Sequence, residues 1–441
     1  MKLRRYFWAF FLGILVNAQS SFKVHDAKKT VIPFKLISNL IFIPINVNGA
    51  DLTFLLDTGV AETSIFSLEN EELKLASLEK IKFSGLGGNT SIDGFRSDLN
   101  IGRAGKNYIN DSMTLFIIVD QDFNISSHVG IPVNGIIGYH FFKNHPVVID
   151  YVSKKITVYN DDALFRKKVK SYEAFSISIE KKKPYLYADV EVTDEKQNSK
   201  LLVDLGNSDA IWLFPAVIPG FIYKQPYIDD FLGRGFNGDV YGKRSRIHNL
   251  YLGPFTFAKP IAAMPDAYSI QHVNWVKNRK GSVGGEIMKR FTAAFDYADQ
   301  KIYLKKNRNF DDPFHFNMSG LDFRQDGMEW TKDLVNLSAK TKENPNGGVE
   351  VINNSLPYHF VLKPVFSIAG VRKDSPGARA GLLKDDRLIS INGKKSADMT
   401  LQRIIEIMKS AEGRTIEMLI ERKNKPMTLS FTLEDPIPYQ E

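Results

Sequence analysis

The chain contains no cysteine. Disulfides, thiolate metal sites, a cysteine nucleophile and a lipid anchor on an N-terminal cysteine are therefore excluded. Its 8 histidines include no H-E-x-x-H pair, so helix-borne zinc hydrolysis lacks its ligands. There is no G-x-S-x-G elbow and no G-x-x-x-x-G-K-[ST] phosphate loop. Ser77-Leu78-Glu79-Lys80 fits S-x-x-K, but without the motifs that accompany it in serine acyl-enzymes. Beyond the N-terminus no apolar run approaches the roughly 20 residues a membrane helix requires. For hydrolytic chemistry this leaves mainly carboxylates, with neither metal nor other cofactor expected.

What is present is ordinary globular composition. Hydrophobic residues make up 43% and charged residues 24% of 441 residues, which at about 150 residues per domain suggests about three domains. Lys and Arg outnumber Asp and Glu by 58 to 50. The excess is spread thinly, with short runs such as Lys181-Lys182-Lys183, and reads as a solvated basic surface, not a nucleic-acid footprint. Lys2, Arg4 and Arg5 precede the apolar run Phe7 to Val16, and Ala18-Gln19-Ser20 comes next with small residues. That order predicts a secretory signal peptide over 1–20 with a mature start near Ser21, an uncleaved anchor being the alternative. An exported protein, periplasmic or extracellular, is expected. Cysteine-free export leans towards a bacterial envelope.

The chain repeats itself. Gly135-Ile136-Ile137-Gly138, continuing through Asp150-Tyr151 to Lys155-Ile156, parallels Gly281-Ser282-Val283-Gly284, continuing through Asp296-Tyr297 to Lys301-Ile302, each at a separation of 146 (281−135, 296−150, 301−155). Upstream, Leu55-Leu56-Asp57-Thr58-Gly59 parallels Leu202-Val203-Asp204-Leu205-Gly206, at 204−57, or 147. A near-constant offset over so many positions points to a duplicated lobe. Both copies are rich in β-forming runs, Ile41 to Val47 and Tyr185 to Val192 among them. VVIDYVSKKITVY and AAFDYADQKIYLK each read as a hairpin. The lobes are placed at 31–165 and 166–308.

On these residues the sequence resembles the aspartic proteases, both two-lobed pepsins and half-sized retropepsins. The resemblance covers about 31–308. It implies a bilobal β-barrel unit in which Asp57 and Asp204 form the catalytic pair, supported by the loop residues Thr58, Gly59, Gly206 and Asn207. The apolar-apolar-Gly elements would cross behind the aspartate loops. Gly85-Leu86-Gly87-Gly88 is similar to the glycine-rich flap tip of retropepsins, a plain surface hairpin being the alternative. Gly233 to Gly238 is a second such stretch. The chemistry explains the need for two lobes: one group takes a proton from water while another gives one to the substrate. Two carboxylates about 3 Å apart cannot both ionise, so they share a proton. Nothing in the sequence distinguishes which is the base. Leu205 departs from the family, whose lobe-two tripeptide carries Thr or Ser at that position to brace the loops. Val60 and Asn207 also depart, and the Asn207 amide is expected to favour ionised Asp204. Weak to moderate activity with an optimum less acidic than pepsin's is the expectation. Thr63 and Ser64 are read as supporting the next strand.

Beyond Met318 the texture changes. Val371-Arg372-Lys373-Asp374-Ser375-Pro376-Gly377-Ala378-Arg379-Ala380-Gly381-Leu382, then Asp385-Asp386-Arg387-Leu388-Ile389-Ser390-Ile391-Asn392-Gly393, resembles the PDZ signature, with Gly377 in place of Ala and Asp385 in place of Gly. A PDZ (α+β) domain is expected over 319–436, with a helix at Leu401 to Met408 from its apolar spacing. The resemblance implies a groove for an extended or C-terminal peptide, with Gly320, Leu321, Asp322 and Phe323 as its carboxylate loop. The alternative is a module that only packs on the lobes. The overall expectation is a mainly β, monomeric, exported aspartic endopeptidase acting on polypeptides. The alternative is a non-catalytic peptide-binding protein with a protease-like cleft.

Overall fold

A computed structural model of the protein describes residues 21–68, 73–75, 77–83, 92–118, 125–193, 195–218, 220–235, 238–270, 276–334, 341–343, 349–351 and 358–438. The expected signal peptide and Gly85, Leu86, Gly87 and Gly88 lie outside the described residues. The chain is mainly β. Among the described residues no helix is long and apolar enough to cross a membrane.

In the first lobe β1 (Leu40–Val47) and β2 (Ala50–Leu56) form a hairpin. Its turn, Asn48-Gly49, has positive φ at both residues, the conformation whose twist matches that of the flanking strands. Leu52, Phe54 and Leu56 are buried, so β2 delivers its end firmly to the loop that carries Asp57. β3 (Ser64–Ile65) comes next. The chain returns through α1 (Ile125–Val129) to β4 (Gly135–Ile137), which inserts between its predecessors, parallel to β2 and antiparallel to β3. β5 (Val147–Asp150) then leaves the lobe.

The second lobe repeats this path with β6 (Lys183–Glu191), β7 (Lys196–Val203), β8 (Ile211–Leu213), β9 (Arg279–Val283) and β10 (Phe291–Asp296). β9 lies parallel to β7 and antiparallel to β8. The crossing brings backbones into contact: a Cβ on Gly138 would lie 2.3 Å from the Val60 carbonyl, and one on Gly284 2.3 Å from that of Asp209. No side chain fits at either place.

β5 and β10 pair antiparallel at the centre of a six-stranded sheet to which both lobes contribute. Val148 faces Ala294 there. Their separation, 294−148, is 146, the repeat offset, so this pair lies on the pseudo-twofold axis. Strands of the two lobes share one buried apolar core.

The C-terminal module is a separate antiparallel sheet in the order β11 (Leu321–Leu334), β12 (Tyr358–Val371), β13 (Arg387–Ile391), β14 (Thr415–Arg422), β15 (Lys425–Thr432). α2 (Leu401–Met408) packs beside the edge strand β11. Thr400 caps the helix by accepting from Arg403 N–H, and Leu401, Ile404, Ile407 and Met408 are buried. Both departures from the signature are compatible with the local structure. A Cβ at Gly377 would lie 2.5 Å from Leu321 Cδ2. Asp385 has a φ of 70°, which an Asp tolerates better than most residues.

The module is anchored to the lobes. The buried Arg246 guanidinium donates to the Ile437 and Phe314 carbonyls and to Asp435 Oδ2, at 2.6, 3.1 and 3.1 Å. Ile437 itself is fully buried in the lobe core. Arg290, also fully buried, donates to the Phe310 carbonyl at 3.0 Å and stacks 4.0 Å from the Phe314 ring, which fixes the connector.

Candidate active site

β2 and β7 end at equivalent points, and the crossing strands hold the aspartates just past those ends. Asp57 N–H donates to the Ile137 carbonyl at 2.8 Å, and Asp204 N–H to that of Val283 at 2.9 Å. The two carboxyl groups thereby meet on the pseudo-twofold axis, within hydrogen-bonding reach of each other. The packing is tight: a Cβ on Gly59 would lie 2.8 Å from Asp204 Oδ1 and 2.9 Å from Asp57 Oδ1, and one on Gly206 2.2 Å from Asp57 Cγ. Gly59 N–H donates to Asp57 Oδ1 at 2.6 Å, and Gly206 N–H donates to the Asp204 carboxylate. Asn207 braces its own loop, its Oδ1 accepting from Asp209 N–H at 3.0 Å.

The Thr58 hydroxyl braces the two aspartate loops against each other. It donates to the Val203 carbonyl at 2.6 Å and accepts from Leu205 N–H at 3.0 Å. One side chain thus satisfies the backbone on both sides of Asp204. Leu205, only 1% exposed, gives up the reciprocal bonds for burial in the shared core. Val60 packs in an apolar cluster with Phe42, Leu55 and Ile136. Thr63 is buried, and Ser64 pairs with Phe116 and Ile136 in the ladder.

Two reciprocal latches reinforce the brace, and sequence reasoning missed them. The turn Ser38-Asn39 has φ values of 48° and 67°, and the turn Lys181-Lys182 has 49° and 63°. Each reaches the other lobe. Asn39 Nδ2 donates to the Ser208 carbonyl and to Glu286 Oε2, at 2.9 and 2.7 Å. Lys182 Nζ lies 2.5 Å from Glu62 Oε1, whose partner oxygen is 3.3 Å from His140 Nε2. Glu62 and His140 correspond to Asp209 and Glu286 at 147 (209−62) and 146 (286−140). Aligning the hairpin turns of the two copies would have exposed this pairing.

Charge is distributed unevenly over the dyad. Burial, with Asp204 alongside, pushes the Asp57 carboxyl up to about 8. Burial also raises Asp204, against Arg279 and Lys183, which favour its ionised form. The Arg279 guanidinium stacks 5.1 Å from the Phe214 ring and donates to Ser282 Oγ at 2.8 Å. Neither cation was singled out from sequence, since neither falls in a motif. The buried Tyr297 hydroxyl, which lies in the field of Asp57, has no hydrogen-bond partner among the described residues.

The strands flanking the expected flap, Leu78–Phe83 and Ile92–Ala104, pair as a hairpin. In lobe two the strands Tyr227–Gly235 and Gly238–Arg246 do the same. The expected carboxylate loop stands at the start of β11. There Ser319 N–H and Gly320 N–H donate to Asn317 Oδ1, and Leu321 N–H donates to Ser319 Oγ at 3.0 Å. Asp322 pairs with Gly370, and Phe323 is buried against the module core. Burial, with Asp230 nearby, raises the Asp322 carboxyl to about 6.

Residues 367–422 match the PDZ domain family. Among solved structures, the crystal structure of an aspartic proteinase from Irpex lacteus is similar to the chain at a TM-score of 0.42 and 11% identity, over 64% of this chain and 99% of that one. No curated protein sequence matches the chain.

Proposed function

We propose that the protein is an exported aspartic-type endopeptidase. The observation that carries this reading is the meeting of two carboxyl groups, Asp57 buried and Asp204 half-buried, on the axis between duplicated lobes, at the ends of strands held by equivalent bonds. Holding two acids together and partly out of water costs stability unless they are used or compensated. In the ground state the pair shares one proton; the Lys183 charge acts on both carboxyls, and that of Arg279 favours ionised Asp204. Asp204 takes a proton from a water molecule, whose oxygen bonds to the peptide carbonyl carbon. Asp57 gives its proton to the carbonyl oxygen. The tetrahedral intermediate then collapses as the C–N bond breaks, with Asp204 returning its proton to the leaving nitrogen and Asp57 regaining one from the intermediate's hydroxyl. Activity is bell-shaped in pH, lost on the alkaline side as the shared proton leaves at about 8.

The competing reading, a peptide binder without turnover, is favoured by Leu205. Thr58 answers it by supplying both bonds to the lobe-two loop. Digestion of a peptide library by the mature chain, beside Asp57→Asn and Asp204→Asn, separates the two. Cleavage abolished in both variants supports the enzyme. Equal binding without cleavage in all three supports the binder. The PDZ module is assigned to docking of polypeptide.

A further inference from the structure

A PDZ module recruits peptides by adding a strand to its edge beside the helix. Here that edge is β11, and the place beside it is already taken. α1 of the first lobe packs along β11. Gly130, immediately after α1, lies across the mouth of the groove: a Cβ there would be 2.8 Å from Leu401 Cβ on α2 and 3.5 Å from Gln325 Oε1 on β11. A second tie sits at the helix start, where Ser38 N–H donates to Gln402 Oε1 at 2.9 Å. At the far end Lys409, just past α2, lies in the field of Glu286 and Asp209 of lobe two.

The same segment is part of the Asp57 scaffold. Ile125, Val129, Ile131 and Val133 pack in one cluster with Val60 and Ile136. Asn134 N–H donates to the Thr53 carbonyl and Asn134 Oδ1 accepts from Thr53 N–H, both at 2.8 Å, which joins the segment to β2. Three residues on, the Ile137 carbonyl holds Asp57 N–H. α1 therefore has one side on the groove and the other on the strand that positions an acidic dyad residue.

We propose that the segment 125–131 is the internal occupant of the PDZ groove, and that an extended polypeptide enters only by displacing it. Displacement withdraws packing from Val60 and Ile136 and so loosens the Asp57 loop. Groove occupancy and dyad geometry are thereby coupled through one two-state element. A groove open a tenth of the time binds about tenfold more weakly than a free one. The inference does not rest on turnover, and its readouts are independent of it.

The test compares the full mature chain with Gly130→Val, whose side chain collides with Leu401 at a residue whose φ of 77° also disfavours a branched side chain, and Gln402→Ala, which removes the second tie along with an exposed bond to Glu406 within α2. Two measurements are made: amide hydrogen exchange, and capture on beads bearing random short peptides with free C-terminal carboxylates. Both variants are expected to exchange faster over 125–134, 321–330 and 52–60 together, while β5 and β10 stay protected. Bead capture rises about tenfold for Gly130→Val and by less for Gln402→Ala. Equal capture by all three proteins overturns the proposal. Faster exchange over 125–134 without any change over 52–60 overturns the coupling. Should Gly130→Val also lose protection in β5 and β10, it is unfolding, and Gln402→Ala decides by the same criteria.

Discussion

Thr58 offers the sharpest energetic test of how the lobes are joined. Its hydroxyl bonds the Val203 carbonyl at 2.6 Å and Leu205 N–H at 3.0 Å, in a fully buried place. Thr58→Val keeps the shape and removes the oxygen, leaving two buried backbone groups without partners. At about 1–3 kcal/mol for each unsatisfied group, the loss is about 2–6 kcal/mol. Thr58→Ser keeps the hydroxyl and is expected to lose less than about 1 kcal/mol. Urea unfolding monitored by tryptophan fluorescence measures both, with Trp212 on β8 beside the second aspartate loop; the slope should stay constant while the midpoint falls. The reverse experiment, Leu205→Thr, restores the family residue but removes an apolar side chain buried to 1% exposure. It is expected to cost about 2 kcal/mol or more, as core truncations do. The brace is refuted if Thr58→Val loses less than about 1 kcal/mol, or if Thr58→Ser is as damaging as Thr58→Val.

Three further outcomes are expected. Asp57 is raised from 3.8 to about 8 by burial and by Asp204, so the folded state holds its proton more tightly than the unfolded chain does. Its contribution to stability is full below the unfolded value and fades as pH rises across that window. Asp57→Asn should therefore show a smaller drop in Tm than the wild type between about pH 5 and about pH 8. Gly206→Ala places a Cβ 2.2 Å from Asp57 Cγ; peptide cleavage should fall at least about a hundredfold through misplacement of the dyad, with circular dichroism checking the fold. Gly377→Ala restores the residue usual in the module's signature yet meets Leu321 Cδ2 at 2.5 Å. It should destabilise the module by about 1–3 kcal/mol, read as faster exchange in β11 to β15.

Much of the fold and the site was legible because it lies in short motifs. The two aspartates and the glycines at 138 and 284 sit in tripeptides and tetrapeptides whose spacing repeats, and a Gly forced by backbone contact leaves a trace in any sequence. The module's Asn392-Gly393 turn and the apolar spacing of Leu401 to Met408 are equally local. What remained hidden depends on residues far apart that share no motif. Asn39 meets Glu286, and Lys182 meets Glu62, only once the lobes close. Lys183 reads as one cation of a solvated basic run and Arg279 falls in no motif, yet folding sets both charges near Asp204. Leu205 looked like a defect, because sequence alone does not show that one threonine can serve both backbone groups. The seating of α1 against β11 likewise joins residues some 200 apart in the chain, a contact that no periodicity announces.

The central claim is that Asp57 and Asp204 share a single proton, and infrared difference spectroscopy of the wild type against Asp57→Asn measures this directly. At about pH 6 an ordinary aspartate is fully ionised. The shared proton predicts that the wild type shows one protonated carboxyl that the variant lacks, titrating away as pH rises through about 8. A difference spectrum containing only an ionised carboxylate at about pH 6 would contradict it.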